Sequence, residues 1–173
     1  MFNLKSFLYA LFALHSVIAS PLDNKTPETK CPNGWDQYRD SCYFADNPVM
    51  EFEKAQIECW RLQGTLLLAE TIEEFKYVTE HSKRGTWSWI GITQDESFHD
   101  PMWVNSGGVN ISTINWLVKP FAAIPNGWSS KAKCAAHLNN LIRSASYAFF
   151  FPCGVKLYSI CEKNTTLLGL MRL

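Results

Sequence analysis

A long run in the second half of this sequence is without acid. From position 101 to position 161, a run of 61 residues, there is neither aspartate nor glutamate, while Lys119, Lys131, Lys133, Arg143 and Lys156 all fall inside it. A hard cation held there would have only asparagine and carbonyl oxygens to draw on, with five positive charges nearby, and would be held weakly. Other absences narrow the field further. The 16 basic and 16 acidic side chains cancel to a formal charge of zero, so the chain lacks the basic surplus by which nucleic-acid binders release counterions. Past the N-terminal apolar stretch there is no run approaching the ~20 residues of a membrane span. No HExxH, GxSxG or P-loop sequence occurs, His81, His99 and His137 are scattered, and nothing supports an enzyme. No CxxC pair with a following HxxxH suggests zinc.

What is present describes a folded, exported chain. With 14% aromatic and only 18% charged residues, the composition is far from that of a disordered protein. Residues 1–19 read as a signal peptide. Lys5 supplies the positive end, Phe7 to Ile18 the apolar stretch (interrupted at His15 and Ser16), and Val17 and Ala19 the small −3/−1 pair. Roughly 150 residues remain, the size of one domain. Export places Cys31, Cys42, Cys59, Cys134, Cys153 and Cys161 in an oxidising compartment, so disulfides are expected; six cysteines allow 15 connectivities, and spacing does not choose among them. Sequons at Asn24, Asn110 and Asn164 agree with export.

Residues 20–30 are polar with two prolines and read as a short flexible lead-in. Asn33-Gly34 has turn chemistry, and the aromatic stretch through Tyr38 to Phe44 suggests a small hairpin. Phe52, Ala55, Cys59 and Leu62 share one face of a helix predicted over Met50–Gln63, stopped by Gly64. Thr71-Ile-Glu-Glu74 is a capping box opening a second helix to Lys83, closed by Gly85. Both apolar faces read as core. Trp87 to Ile92 is a strand, and further strands are expected at Ala135–Leu141, Tyr147–Phe151 and Val155–Cys161. Between Asp95 and Lys133 lies a long irregular region carrying Trp103, Trp116 and Trp128, and loops of that length are usually functional.

Cys31-Pro-Asn-Gly-Trp35, Ser41-Cys42-Tyr43, the Trp89-Ile-Gly-Ile92 strand, and Cys153 ahead of Ile160-Cys161-Glu162-Lys163 together resemble a C-type lectin-like domain. The elements also come in that family's order, over about residues 31–164, which leaves 165–173 as a C-terminal tail. The resemblance implies an α+β fold, with two helices on antiparallel strands and a long-loop region. It also implies the pairings Cys31–Cys42, Cys59–Cys161 and Cys134–Cys153. In sugar-binding members the long loop holds calcium through a Glu-Pro-Asn or Gln-Pro-Asp triplet and a later Trp-Asn-Asp. Here the first reads Ile124-Pro125-Asn126 and the second Ala148-Phe149-Phe150, while Ala132 stands where an acid often precedes the fourth cysteine. Every carboxylate position of that site is empty of acid.

The function expected is therefore secreted, non-catalytic recognition of a glycan or protein ligand, without calcium or other cofactor. The candidate ligand residues are Pro125, Asn126, Trp128, Lys131 and Lys133 in the long-loop region. Trp128 stands either as an exposed loop aromatic or buried beneath the loop. The Tyr147–Phe151 run reads first as a buried strand with one or two outward rings, and second as an aromatic platform. Acids concentrate before position 101 and cations persist after it, which would favour an anionic ligand, although a mixed solvated surface accounts for the same counts. The alternative is a lectin using an auxiliary calcium site near Asp95, Glu96 and Asp100, which read first as a solvated acidic turn. A third reading is a structural glycoprotein. Nothing in the sequence sets an oligomeric state.

Overall fold

The computed structural model describes residues 31–94, 100–105, 107–118, 129–142 and 145–164. Strands β1 (Asp36–Tyr38) and β2 (Ser41–Phe44) form the expected hairpin, turning at Arg39, whose φ is +54°. Helix α1 spans Phe52–Arg61 and α2 spans Ile72–His81, separated by β3 (Thr65–Leu66). There follow β4 (Thr86–Thr93), β5 (Met102–Trp103), β6 (Cys134–Asn139), β7 (Tyr147–Phe151), β8 (Tyr158–Ser159) and β9 (Cys161–Asn164). A four-stranded sheet runs β1-β2-β9-β3, and a five-stranded sheet runs β5-β4-β6-β7 with β8 parallel to β4. Ser41 pairs with Asn164, so the two ends of the domain lie side by side.

Local chemistry accounts for the helices. Thr71 Oγ1 accepts from the Glu74 N–H at 3.2 Å while the Glu74 carboxylate accepts from the Thr71 N–H at 3.3 Å, so the capping box is complete. Helix α1 is shorter than the predicted span, and its end is made differently. The left-handed residue is Gln63, at φ +61°. Gly64 answers a steric demand instead, since a Cβ there would lie 2.3 Å from the Glu162 carbonyl oxygen of β9.

Two core clusters sandwich the larger sheet. On one side Ile90, Ile92, Phe150 and Ile160 pack with Phe75 and Val78 of α2; on the other Trp89 and Ala136 pack with Phe52, Ala55 and Cys59 of α1. Phe52 meets Trp89 edge-on at 5.4 Å. Burial of each such side chain contributes about 1.5–3 kcal/mol. The indole N–H groups pin the chain as well: Trp89 donates to the Met50 carbonyl, Trp103 to that of Val109 and Trp116 to that of Ile111, all within 3.0 Å. Trp103 and Trp116, read from the sequence as parts of a long irregular region, are thus core residues, each only 7% exposed.

All six cysteines pair as the resemblance implies: Cys31–Cys42, Cys59–Cys161 and Cys134–Cys153. Two predicted strands need correction. The segment expected to run to Leu141 ends at Asn139, whose side-chain amide donates to the Glu80 and Ser82 carbonyls, and Asn140 Oδ1 then accepts from the Ile142 N–H and turns the chain out. The segment Val155–Cys161 is not one strand. Leu157 bridges to Met50, β8 pairs with β4, and β9 leaves for the other sheet.

Candidate ligand-recognition face

The residues expected to carry recognition divide sharply. Pro125, Asn126 and Trp128 lie outside the described residues, as do Asp95, Glu96, Lys119 and Asn24; so do the expected signal peptide, lead-in and tail. Lys131 and Lys133 are described. Lys131 sits exposed in a tight turn closed by hydrogen bonds between Ser129 and Ala132. Two residues on, Lys133 lies just ahead of β6, its carbonyl accepting from the Gln94 N–H at 3.0 Å. Asn110 is exposed, its Oδ1 accepting from Ser112, and Asn164 is half-buried at the end of β9. Asp100 is exposed.

The place where the resemblance would put the second half of a calcium site is structurally clear. Ala148, Phe149 and Phe150 form the middle of β7, with Ala148 and Phe150 fully buried. Phe150 stacks on Trp116 with ring centroids 5.1 Å apart, and Trp116 itself forms a bridge to Ala148. Ala132 packs against the same core. These are apolar side chains, two of them fully buried and Phe149 and Ala132 half-buried, and none offers a hard cation a side-chain oxygen. The residues present at these positions do not fit the metal. Tyr147, Phe149 and Phe151 alternate outward, so three rings rather than one or two are half-exposed, and Trp87 meets Tyr147 and Phe151 edge-on at 5.7 and 4.8 Å.

Lys133 lines a cleft of about 390 Å³ between the N-terminal half of α1 and strands β4 and β5, with Glu53, Thr93, Met102 and Val104 among its walls. A second cleft of about 160 Å³ shares Gln56 and Val104 with it and ends against Trp60 and Gly64. The two lie in line along α1, with Glu53 and Lys133 at the β6 end and Trp60 at the other. Met102 is 53% exposed, Val104 40% and Trp60 77%. The sequence reading passed over these residues, although one signal was there: Ile57 and Trp60 fall off the Phe52, Ala55, Cys59 face of the helix wheel.

A second feature went unread. Glu162, following the last cysteine, is buried; its Oε2 accepts from the Leu68 N–H at 2.9 Å and its Oε1 from the Ser41 hydroxyl. Burial pushes this carboxyl up to about 8, with the Leu68 N–H pulling the other way and Glu74 and Glu70 adding to the rise. Glu74, also buried, accepts from Tyr43 on one oxygen and from the Glu70 and Thr71 N–H groups on the other. Burial first, then the charge of Glu162, raises the Tyr43 phenol. The cluster locks β2 and β9 to the start of α2.

Two helices on antiparallel sheets, termini clasped together, three bridges and an irregular segment carried by the larger sheet are the marks of a lectin-like recognition domain. The chain belongs to the C-type lectin domain family: the family model "Lectin C-type domain" matches residues 49–163. The chain is 43% identical over 146 residues to C-type lectin domain-containing protein 91 of Caenorhabditis elegans, covering 81% of this chain and 65% of that protein. To C-type lectin domain-containing protein 87 of Caenorhabditis briggsae it is 42% identical over 149 residues, covering 83% and 64%. It thus spans less than two thirds of the length of these relatives. The mouse scavenger receptor C-type lectin carbohydrate-recognition domain superposes with a TM-score of 0.62 at 27% identity, covering 78% of this chain and 96% of that one. Members of this family are generally non-catalytic recognition proteins, and a glycan or protein ligand is what such a domain suggests. Among the described residues no helix is long and apolar enough to cross a membrane.

Proposed function

We propose that this protein is a secreted, non-catalytic recognition protein that binds a protein or glycan ligand through its long-loop region without calcium. The observation that carries the calcium-free reading is the packing of Ala148 and Phe150 into β7 beneath Trp116, where a metal site would need oxygen ligands. The acid-free run from 101 to 161 supports it independently. Export rests on the signal peptide at 1–19, the three sequons and the pairing of all six cysteines; the recognition domain is taken as residues 31–164. Pro125, Asn126 and Trp128 are assigned to the ligand surface together with Lys131 and Lys133. The positive charges of Lys131 and Lys133 favour a ligand with an acidic group.

Melting of the secreted protein in about 10 mM calcium and again in EDTA tests the first half. A site with a dissociation constant near 0.1 mM would stabilise the fold by ~2.7 kcal/mol, worth roughly 5–10 °C at this size. The expected result is superimposable melts; a shift of that scale restores a calcium-dependent lectin and overturns the reading.

The second half is tested by glycan-array binding in EDTA, with crosslinking capture of proteins where no glycan binds. Lys131→Ala and Lys133→Ala are expected to weaken an anionic ligand about three- to tenfold each, which is ~0.7–1.4 kcal/mol. Their melting temperatures should stay near that of the parent. Unchanged affinity in both variants removes these lysines from the ligand surface.

A further inference from the structure

Helix α1 has a second face with an order of its own. Ile57 projects opposite the buried Phe52, Ala55 and Cys59 and is 52% exposed, and Trp60 one turn on is 77% exposed. Beside them runs a row of charges at helical spacing: Glu51 at the N-cap, then Lys54, Glu58 and Arg61. Within one chain these make two exposed pairs, Lys54–Glu51 at 3.2 Å and Arg61–Glu58 at 3.6 Å. Such pairs contribute little by themselves. Read from the N-terminus the row is acid, base, acid, base, and read backwards it is base, acid, base, acid.

That order is complementary to its own reverse. Laid antiparallel against a second copy, Glu51 meets Arg61 and Lys54 meets Glu58, and both pairings share one centre, at Gln56. A two-fold axis there satisfies all four charges of both copies at once and sets Ile57 beside its counterpart and Trp60 beside Glu53 and Gln56 of the other helix. Parallel pairing would set like charge on like. An isologous interface requires a surface to fit itself in this way. We propose that the outward face of α1 is a homodimer interface, with two copies of this chain packed antiparallel about Gln56–Ile57. A ten-residue helix alone offers less than the ~800 Å² per partner of a standard interface, so the dimer is a weak one, dissociating in the ~10–100 μM range. It would pair two recognition domains and raise their avidity for a multivalent ligand.

Sedimentation of the secreted, glycosylated full chain from about 1 to 500 μM tests this. The expected result is a reversible monomer–dimer equilibrium, weakened at least tenfold by Trp60→Ala. The decisive comparison uses Lys54→Glu and Glu58→Lys. Alone, each variant sets like charges together twice in its own dimer and should remain monomeric. Mixed in equal amounts, the two restore both pairs and should dimerise with near-parental affinity. Melting temperatures near the parental value, expected for substitutions on an exposed face, confirm that each variant is folded. A parent chain that stays monomeric throughout overturns the proposal. So does a mixture that fails to associate while the parent dimerises, because the interface then lies elsewhere.

Discussion

Replacing both Cys59 and Cys161 by serine should cost this fold about 5 kcal/mol, the largest loss expected from removing any one bridge. The bond closes a sequence separation of 102 residues, against 11 for Cys31–Cys42 and 19 for Cys134–Cys153. Loop-closure entropy assigns the long bridge ~4.7 kcal/mol and each short one ~3 kcal/mol. Packing adds to the difference. Cys59 and Cys161 are fully buried in the cluster with Phe52, Leu66 and Trp89, so serine hydroxyls there would lack water. A domain of this size has roughly 5–15 kcal/mol in all, so the double variant should sit near the limit of folding at physiological temperature. Thermal and urea unfolding of the three double variants, side by side, is the measurement. If the long bridge proves no more costly than the hairpin bridge, the clasp between α1 and β9 is not what holds the two sheets together.

How much of this was legible in the sequence depends on whether the determinant was local. The capping box at Thr71 and the apolar spacing of α1 were readable because each involves residues three or four apart. The strand containing Trp89-Ile-Gly-Ile92 was readable because β-branched and aromatic residues cluster there. What escaped was set by partners distant in the chain. Strands β3, β5 and β8 are two residues long and exist only because β9 and β4 pass beside them. Gly64 was read as a helix stop, yet the constraint on it is the carbonyl of Glu162 almost a hundred positions later.

The candidate face shows the same division. The lack of carboxylates could be counted directly, and the packing of Phe150 on Trp116 supplies the physical reason that position needs none. The larger cleft along α1 could not be counted, because it is made by β5 returning against the helix. Part of its wall, Met102 and Val104, comes from a segment without periodicity. Trp60 and Ile57 lay between these cases. Their spacing in the helix was visible, but an apolar residue off the core face gains meaning only beside the charges that flank it.

The stability of this protein should peak in mildly acidic solution, through two buried groups of opposite sign. Glu162, 6% exposed, has its carboxyl raised from 4.5 to about 8 by burial. Between those values the folded chain keeps a proton that the unfolded chain has released. Its contribution is therefore complete below about pH 4.5 and is lost as pH climbs through 8. His137, 5% exposed and edge-on to Phe75, has its imidazole lowered from 6.5 to about 4 by burial. Its contribution is present above pH 6.5 and lost as pH falls through 4. The two slopes oppose each other between pH 4.5 and 6.5 and leave a plateau there, so at about 1.4 kcal/mol per unit the net curve should fall by ~2 kcal/mol toward pH 8 and by less than ~1 kcal/mol toward pH 4. Glu162→Gln should flatten the alkaline flank and let the His137 rise from about pH 4 to 6.5 show in full. His137→Phe should do the reverse, at little cost near neutrality, since Nδ1 finds no hydrogen-bond partner among the described residues. Melting temperatures from about pH 3.5 to 9 for the three proteins read both flanks. An alkaline slope that survives Glu162→Gln would mean the carboxylate is ionised in the fold at neutral pH, with the Leu68 N–H and Ser41 hydroxyl outweighing its burial.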